Sequence, residues 1–195
     1  MDIVMSKITV APTSLKDVLL ITPTVFGDDR GYFLEAFKAA SYQKAGIEYS
    51  FVQDNTSRSK EHILRGLHYQ WPKPQGKLVS VVRGAIFDVA VDIRTDSPQF
   101  GQWYGTVLDD KEHRQLWIPP GFAHGFVVLS DVVDLYYKCT EYYLPEYDKA
   151  IAWNDPVIEV AWPIEGAPQL SAKDEAAPFL RDVSEEDLPR INPHK

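Results

Sequence analysis

Lys77-Leu78-Val79-Ser80-Val81-Val82-Arg83-Gly84-Ala85-Ile86-Phe87-Asp88-Val89-Ala90-Val91-Asp92-Ile93 decides the fold class. Two runs rich in β-branched residues flank Arg83-Gly84, so the spacing predicts a hairpin with a two-residue turn. In its second arm Phe87, Val89, Val91 and Ile93 share one face, and Asp88, Ala90 and Asp92 share the other. The first face is apolar enough for a core. The second is partly polar and suits the wall of a cavity.

Outward from this stretch the pattern repeats. Trp103 to Leu108, Gly125 to Leu129 and Val133 to Thr140 are predicted strands. Turn signals separate them at Gly27-Asp28-Asp29-Arg30-Gly31, Asp96-Ser97-Pro98, Pro119-Pro120-Gly121 and Asn154-Asp155-Pro156. Helical periodicity is scarce. Leu34 to Gly46 is one candidate with Gly46 as its stop, and Ala172 to Leu180 is a second with Ser171 as N-cap. No repeat, low-complexity tract or linker appears. The expectation is one all-β domain over 1–195, a sandwich, jelly roll or barrel with a few short helices, and 181–195 as an acidic, proline-containing arm or tail.

At 195 residues with 45% hydrophobic content, the chain can bury a core. Five Trp, ten Tyr and nine Phe suit a β-rich protein with a lined cavity. A net charge of −8 argues against general nucleic-acid binding. Cys139 is the sole cysteine, so no intramolecular disulfide forms. There is no secretion signal and no apolar run of membrane-spanning length, so a cytoplasmic protein away from membranes is expected.

The chemistry concentrates just before the quoted stretch. Leu64-Arg65-Gly66-Leu67-His68-Tyr69-Gln70 and Gln75-Gly76-Lys77 set one histidine between two cations on a strand-like segment. A lone histidine is ordinarily a satisfied core or surface residue. Burying it with two cations and no function is costly, which favours a base acting on an anionic substrate. Such a base needs a carboxylate on its other ring nitrogen; Asp174 and Asp88 both qualify by residue type. Val52-Gln53-Asp54-Asn55-Thr56-Ser57 is either a turn or a set of hydrogen-bonding groups for a sugar or base. No Walker loop or dinucleotide glycine pattern occurs, so phosphate binding falls to Arg and Lys side chains.

The five histidines, His62, His68, His113, His124 and His194, are scattered. Pro119-Pro120-Gly121-Phe122-Ala123-His124 resembles the second motif of the cupins, small jelly-roll proteins, and the segment around His68 resembles the first. A metal-binding cupin carries a second histidine where this chain has Gln70. Two imidazoles and a nearby ammonium make a poor cation site, so no metal and no cofactor are expected.

Taken together these segments resemble the dTDP-4-dehydrorhamnose 3,5-epimerase family from about Leu20 to Leu180. The resemblance also rests on Asp29-Arg30-Gly31-Tyr32-Phe33-Leu34-Glu35, Phe51-Val52-Gln53-Asp54-Asn55, Asp88-Val89-Ala90-Val91-Asp92-Ile93-Arg94, Tyr137-Lys138, Trp153-Asn154-Asp155-Pro156 and Leu170-Ser171-Ala172-Lys173-Asp174. It implies a metal-free cupin-type jelly roll working as a homodimer in dTDP-L-rhamnose biosynthesis for cell-surface polysaccharide. It implies His68 as base, Asp174 as its partner and Tyr137 as the acid on the opposite face. Arg65, Lys77 and His124 would hold the sugar and diphosphate. Arg30, Glu35, Gln53, Asp54, Asn55, Tyr143, Asp148 and Lys173 would complete the nucleotide-sugar site, with Arg30 and Glu35 reaching across the dimer. Two departures stand out: Trp71 with Pro72 and Pro74 at the pocket rim, and Asp148 where the family often carries glutamate. The rivals are an epimerase inverting a single centre or acting on a related deoxysugar, a metal-dependent cupin oxygenase, and a non-catalytic sugar-nucleotide-binding cupin.

Overall fold

A computed structural model describes residues 7–191. His194 and the last residues of the predicted arm lie outside the described residues. The strands are β1 (Ile8–Pro12), β2 (Leu19–Pro23), β3 (Val25–Asp28), β4 (Gly31–Leu34), β5 (Gln53–Lys60), β6 (Leu64–Gln70), β7 (Lys77–Arg83), β8 (Ala85–Asp92), β9 (Trp103–Asp109), β10 (Gln115–Ile118), β11 (Phe122–Val128), β12 (Val132–Cys139) and β13 (Asp148–Ala150). Two short helices, α1 (Ala39–Lys44) and α2 (Ala172–Glu175), complete the regular structure with three single 3₁₀ turns. A six-stranded sheet runs β1-β2-β10-β7-β12-β5 and a five-stranded sheet runs β13-β6-β11-β8-β9. All their pairings are antiparallel, and the two sheets face each other as a jelly-roll sandwich. No described helix is long and apolar enough to cross a membrane.

The expected hairpin at Arg83-Gly84 is overturned. β7 pairs with β10 and β12, whereas β8 pairs with β11 and β9 in the other sheet. The chain turns a corner between sheets here. Gly84 has φ +83°, and a Cβ on it would lie 2.2 Å from the Val132 carbonyl oxygen. Its N–H goes to the Asp110 carboxylate and that of Ala85 to the Ser130 hydroxyl, so neighbouring loops hold the corner. The strand limits otherwise follow expectation within a few residues.

The face assignment on β8 holds, with a different use for its apolar side. Ile86 and Ala90 point between the sheets, with Val79, Leu116, Leu135 and Phe126. Asp88 lies on that same inner face, the polar wall that alternation predicts. Val89, Val91 and Ile93 pack on the outer face, under Ile158, Leu180 and Leu188. The segment after 181 therefore covers this sheet and buries Leu188, instead of merely trailing over the surface. Each such leucine stabilises the fold by roughly 1.5–3 kcal/mol. Asp155 pins the covering segment by accepting the backbone N–H groups of Val157, Ile158 and Leu180.

The helix expected over Leu34 to Gly46 is confined to Ala39–Lys44, because Leu34 closes the β3–β4 hairpin. Gly46, just beyond it, has φ +91°, as a helix stop does. The helix expected over Ala172 to Leu180 ends at Glu175, with a 3₁₀ turn at Leu180–Asp182.

The wall that carries His68 depends on a close approach of β6 and β11 at Gly66. It has φ +114°, and a Cβ there would lie 2.6 Å from both the Gly125 Cα and the His124 carbonyl oxygen. Neither contact can swing away. Gly66→Ala is expected to cost about 1–3 kcal/mol in overpacking, with backbone strain of about 1–3 kcal/mol in addition. A thermal melt checks it; an unchanged midpoint would contradict the packing described.

Candidate active site

Between the sheets opens a cavity of about 380 Å³. It is lined by Gln53 and Asn55 from β5, His68, Tyr69 and Gln70 from β6, Lys77 from β7, Tyr137 from β12, and Gln75, Tyr143, Asp148 and Lys173 at the rim. Most of the residues expected at the site meet here. His68 projects from the five-stranded sheet and Tyr137 from the six-stranded one. A ring lying in the cavity thus has the imidazole on one wall and the phenol on the other.

Of the two carboxylates available to His68 on residue type, the fold selects Asp174. His68 Nε2 lies 2.5 Å from Asp174 Oδ1. Asp174 sits on α2, where Ser171 caps the helix: the Ser171 hydroxyl accepts the Asp174 N–H and donates to Asp174 Oδ2. Burial opposes ionisation of Asp174. The bonds from His68, Ser171 and the Gly66 backbone outweigh it, so the carboxyl lies below its ordinary range. It is therefore a carboxylate, and the neutral form of His68 that matches it carries its hydrogen on Nε2 and a lone pair on the other ring nitrogen.

Asp88 takes His124 instead, with His124 Nε2 2.7 Å from Asp88 Oδ1. His124 pairs directly across from His68 on β11, so the two imidazole–carboxylate pairs are neighbours. Burial lowers the His124 pKa against the opposing pull of Asp88, and the Lys77 charge lowers it further. Burial likewise pulls the Lys77 ammonium down, partly offset by Cys139, Asp148 and Asp88. Burial pushes the Tyr137 phenol up, which keeps it in its proton-bearing form. At the rim Asp148 accepts hydrogen bonds from the Tyr143 hydroxyl at 2.9 Å and the Lys173 ammonium at 2.5 Å. The aspartate is thus held between two other expected site residues.

Beyond Asp174 and His124, four expected residues are not among those lining the cavity. Asp54 alternates with Gln53 and Asn55 along β5 and so faces outward, where it pairs with Lys138 and accepts from the Tyr136 hydroxyl. Arg30 sits on the β3–β4 hairpin and pairs with Asp28. Glu35 follows β4 and lies near Tyr42, whose hydroxyl is pushed up by burial and then by the Glu35 charge. Arg65 is exposed on β6 and donates to the Ser59 hydroxyl. The sequence missed Tyr69, Gln70 and Gln75 as lining residues, and Ser171 as a second support of Asp174. The Ser-x-x-Asp spacing was the available signal for Ser171. Among the described residues no group of three or more His, Cys, Asp or Glu is placed to hold a metal ion.

Asp174→Asn tests the dyad through stability. A charge-assisted hydrogen bond contributes about 1.5–3 kcal/mol. The folded pKa is depressed, so this contribution is full above the unfolded value near 3.8 and is lost as pH falls through the folded value. Urea melts are expected to show the wild-type advantage intact at pH 5 and shrinking toward pH 2. A gap independent of pH would contradict the pairing.

A jelly-roll sandwich with a histidine–carboxylate pair on one wall and a half-buried phenol on the other is the architecture of a cupin-type isomerase. The sequence model of the dTDP-4-dehydrorhamnose 3,5-epimerase family matches residues 12–182. A relative of that name from Pseudomonas aeruginosa is 51% identical over 171 residues, covering 87% of this chain and 94% of the relative. One from Salmonella typhimurium is 51% identical over 173 residues, covering 88% and 94%. The Legionella pneumophila dTDP-6-deoxy-D-glucose-3,5-epimerase, solved with dTDP-4-keto-L-rhamnose, superposes with a TM-score of 0.93 at 50% identity over 95% of this chain and 99% of that one. A Streptomyces bikiniensis 3'-monoepimerase solved with dTDP-quinovose shares the fold at a TM-score of 0.86 and 33% identity, over 92% of each chain. The chain belongs to the dTDP-4-dehydrorhamnose 3,5-epimerase family.

Proposed function

We propose that this chain, as a single domain, inverts C3 and C5 of dTDP-4-dehydro-6-deoxy-D-glucose to give dTDP-4-dehydro-L-rhamnose. The observation that carries the reading is the 2.5 Å His68–Asp174 pair facing Tyr137 across the cavity. The C4 ketone acidifies the hydrogens on both C3 and C5, so one pocket serves two centres without a change of oxidation state. His68 takes the proton through the ring nitrogen that Asp174 leaves free. Electron density moves onto O4, where the Lys77 ammonium stabilises the enolate. Reprotonation from the opposite face inverts the centre, and Tyr137 supplies that proton at C5.

The nucleotide end lies over the rim, where Tyr143, Asp148 and Lys173 form one hydrogen-bonded group with Gln53 and Asn55 beside it. The protein works as a homodimer in this reading. Its β3–β4 hairpin supports that: Val25, Phe26, Tyr32 and Phe33 are all exposed, Phe33 by 63%, and Arg30 lies among them. Covered by a second copy, this hairpin brings Arg30 and Glu35 to the partner's cavity. The reaction belongs in the cytoplasm, in the supply of L-rhamnose for surface glycans.

Tyr137→Phe keeps the shape of the wall and removes the proton. A positioned acid is worth about 10²–10⁴ in rate. NMR of the product is expected to show C5 inversion slowed far more than deuterium wash-in at C3. Unchanged product stereochemistry and rate would remove Tyr137 from the role. Inversion at C3 alone by the wild type would favour a monoepimerase.

A further inference from the structure

Residues 141–144 lead from β12 toward β13 past the cavity, which Tyr143 lines, and they belong to no strand. Four of their backbone groups are held by the side-chain amides of three glutamines. Gln75 donates to the Glu141 carbonyl at 2.9 Å, and Gln70 donates to that of Tyr142 at 3.1 Å. Gln53 accepts the Tyr143 N–H at 2.8 Å, and Gln70 accepts the Leu144 N–H at 2.9 Å. Gln53 stands on β5 of the six-stranded sheet and Gln70 on β6 of the five-stranded one, so this strap is fastened from both. Gln70 holds it at two points. It is buried, and it also donates to the Lys73 carbonyl at 2.5 Å. Lys73 has φ +69°, a backbone region that residues with side chains rarely adopt, so this bond helps to fix the turn at the rim. Both Nε2 hydrogens and the Oε1 acceptor of Gln70 are thereby engaged by backbone.

We propose that Gln70 is a positioning residue for the nucleotide end of the substrate: it acts through the 141–144 strap, which it holds so that Tyr143 stands at the rim, and not on the reacting sugar. This rests on the nucleotide lying over that rim, as given above. A backbone segment without a strand partner keeps its polar groups satisfied only where side chains or water supply the missing bonds. Here glutamines supply them, and Gln70 supplies two of the four. With both hydrogens and its oxygen committed to backbone, its amide has little left for a ligand. Its contribution is to the geometry of what the ligand meets. Tyr143 is exposed, and its hydroxyl bonds Asp148, which Lys173 holds from the other side. Fixed in place before binding, this group needs no ordering when the nucleotide arrives. Released, the rim is in its binding geometry for only part of the time, and affinity falls by that fraction.

The test is Gln70→Met, which fills the volume and removes all three bonds. Calorimetry with dTDP is expected to show binding weaker by about tenfold, as for a rim in place about a tenth of the time. KM is expected to rise in proportion while kcat stays within about threefold of wild type, because His68 and Tyr137 are untouched. A purely structural role would lower the melting midpoint and leave Kd and KM where they were, and that result overturns the proposal. In a Tyr143→Ala background, Gln70→Met is expected to weaken dTDP by less than about twofold, since the side chain it positions is gone. An equal loss in both backgrounds overturns the proposal. Should Gln70→Met fail to fold, Gln70→Asn carries the test. Its amide is one methylene short of the strap, so the same weakening is expected, and wild-type affinity overturns the proposal. Amide exchange read by NMR needs no ligand. The Tyr143 N–H bonds Gln53 and not Gln70, so exchange faster by about tenfold at Tyr143 in the Gln70 variant shows the strap released as a unit, and an unchanged rate overturns the proposal. A wild-type chain that fails to bind dTDP, with the Tyr143 amide freed in the Gln70 variant, would count against the nucleotide-sugar reading and uphold the hold of Gln70 on the strap.

Discussion

His68→Asn is expected to lower epimerisation by about 10²–10⁴-fold while leaving the fold intact. The imidazole is half-buried at the cavity and makes one strong bond, to Asp174. Asparagine keeps a donor for that carboxylate and removes the basic nitrogen. Both inversions begin with loss of a hydrogen α to the C4 ketone, so one base serves both and its loss stops both. The matched measurement is deuterium wash-in at C3 and C5 together with the melting midpoint. A folded His68→Asn protein that still exchanges at the wild-type rate would remove His68 from the chemistry.

Lys77→Met is expected to separate activity from stability. Removing one aimed stabiliser of a developing oxyanion costs about 10²–10³ in turnover. C3 and C5 exchange fall together, because both pass through charge on the same O4. Stability moves the other way. Burial pulls the Lys77 pKa down, so at neutral pH the folded state pays to keep the ammonium charged. Methionine fills the same volume without that cost, and the melting midpoint is expected to hold or rise. A lower midpoint with retained turnover would mean that Lys77 is a structural residue.

The sequence discloses the site more completely than the path of the chain. Alternation on β8 already separates Asp88 from Val89 and Val91, and the structure uses both faces. The same alternation, applied to β5, would have turned Asp54 away from Gln53 and Asn55. The corner at Gly84 was not legible, because two apolar runs about a short glycine-containing turn look the same whether they pair or enter opposite sheets. What decides it is the contacts of Gly84 and Ala85 with Asp110 and Ser130, distant in sequence. The choice between Asp174 and Asp88 as partner of His68 is likewise a tertiary matter, since each is a carboxylate of suitable type. It is settled by α2 docking beside β6 and by His124 claiming Asp88. The shortness of α1 follows from β3 and β4, whose hairpin pairing takes Leu34 out of the helix.

The most direct test of the central claim is incubation of the wild-type protein with dTDP-4-dehydro-6-deoxy-D-glucose in D₂O, with the product trapped by a downstream reductase and read by NMR. The account predicts deuterium at both C3 and C5 and a product of L-rhamnose configuration. Product with deuterium at one centre only, or the unlabelled D-configured sugar returned unchanged, would contradict it.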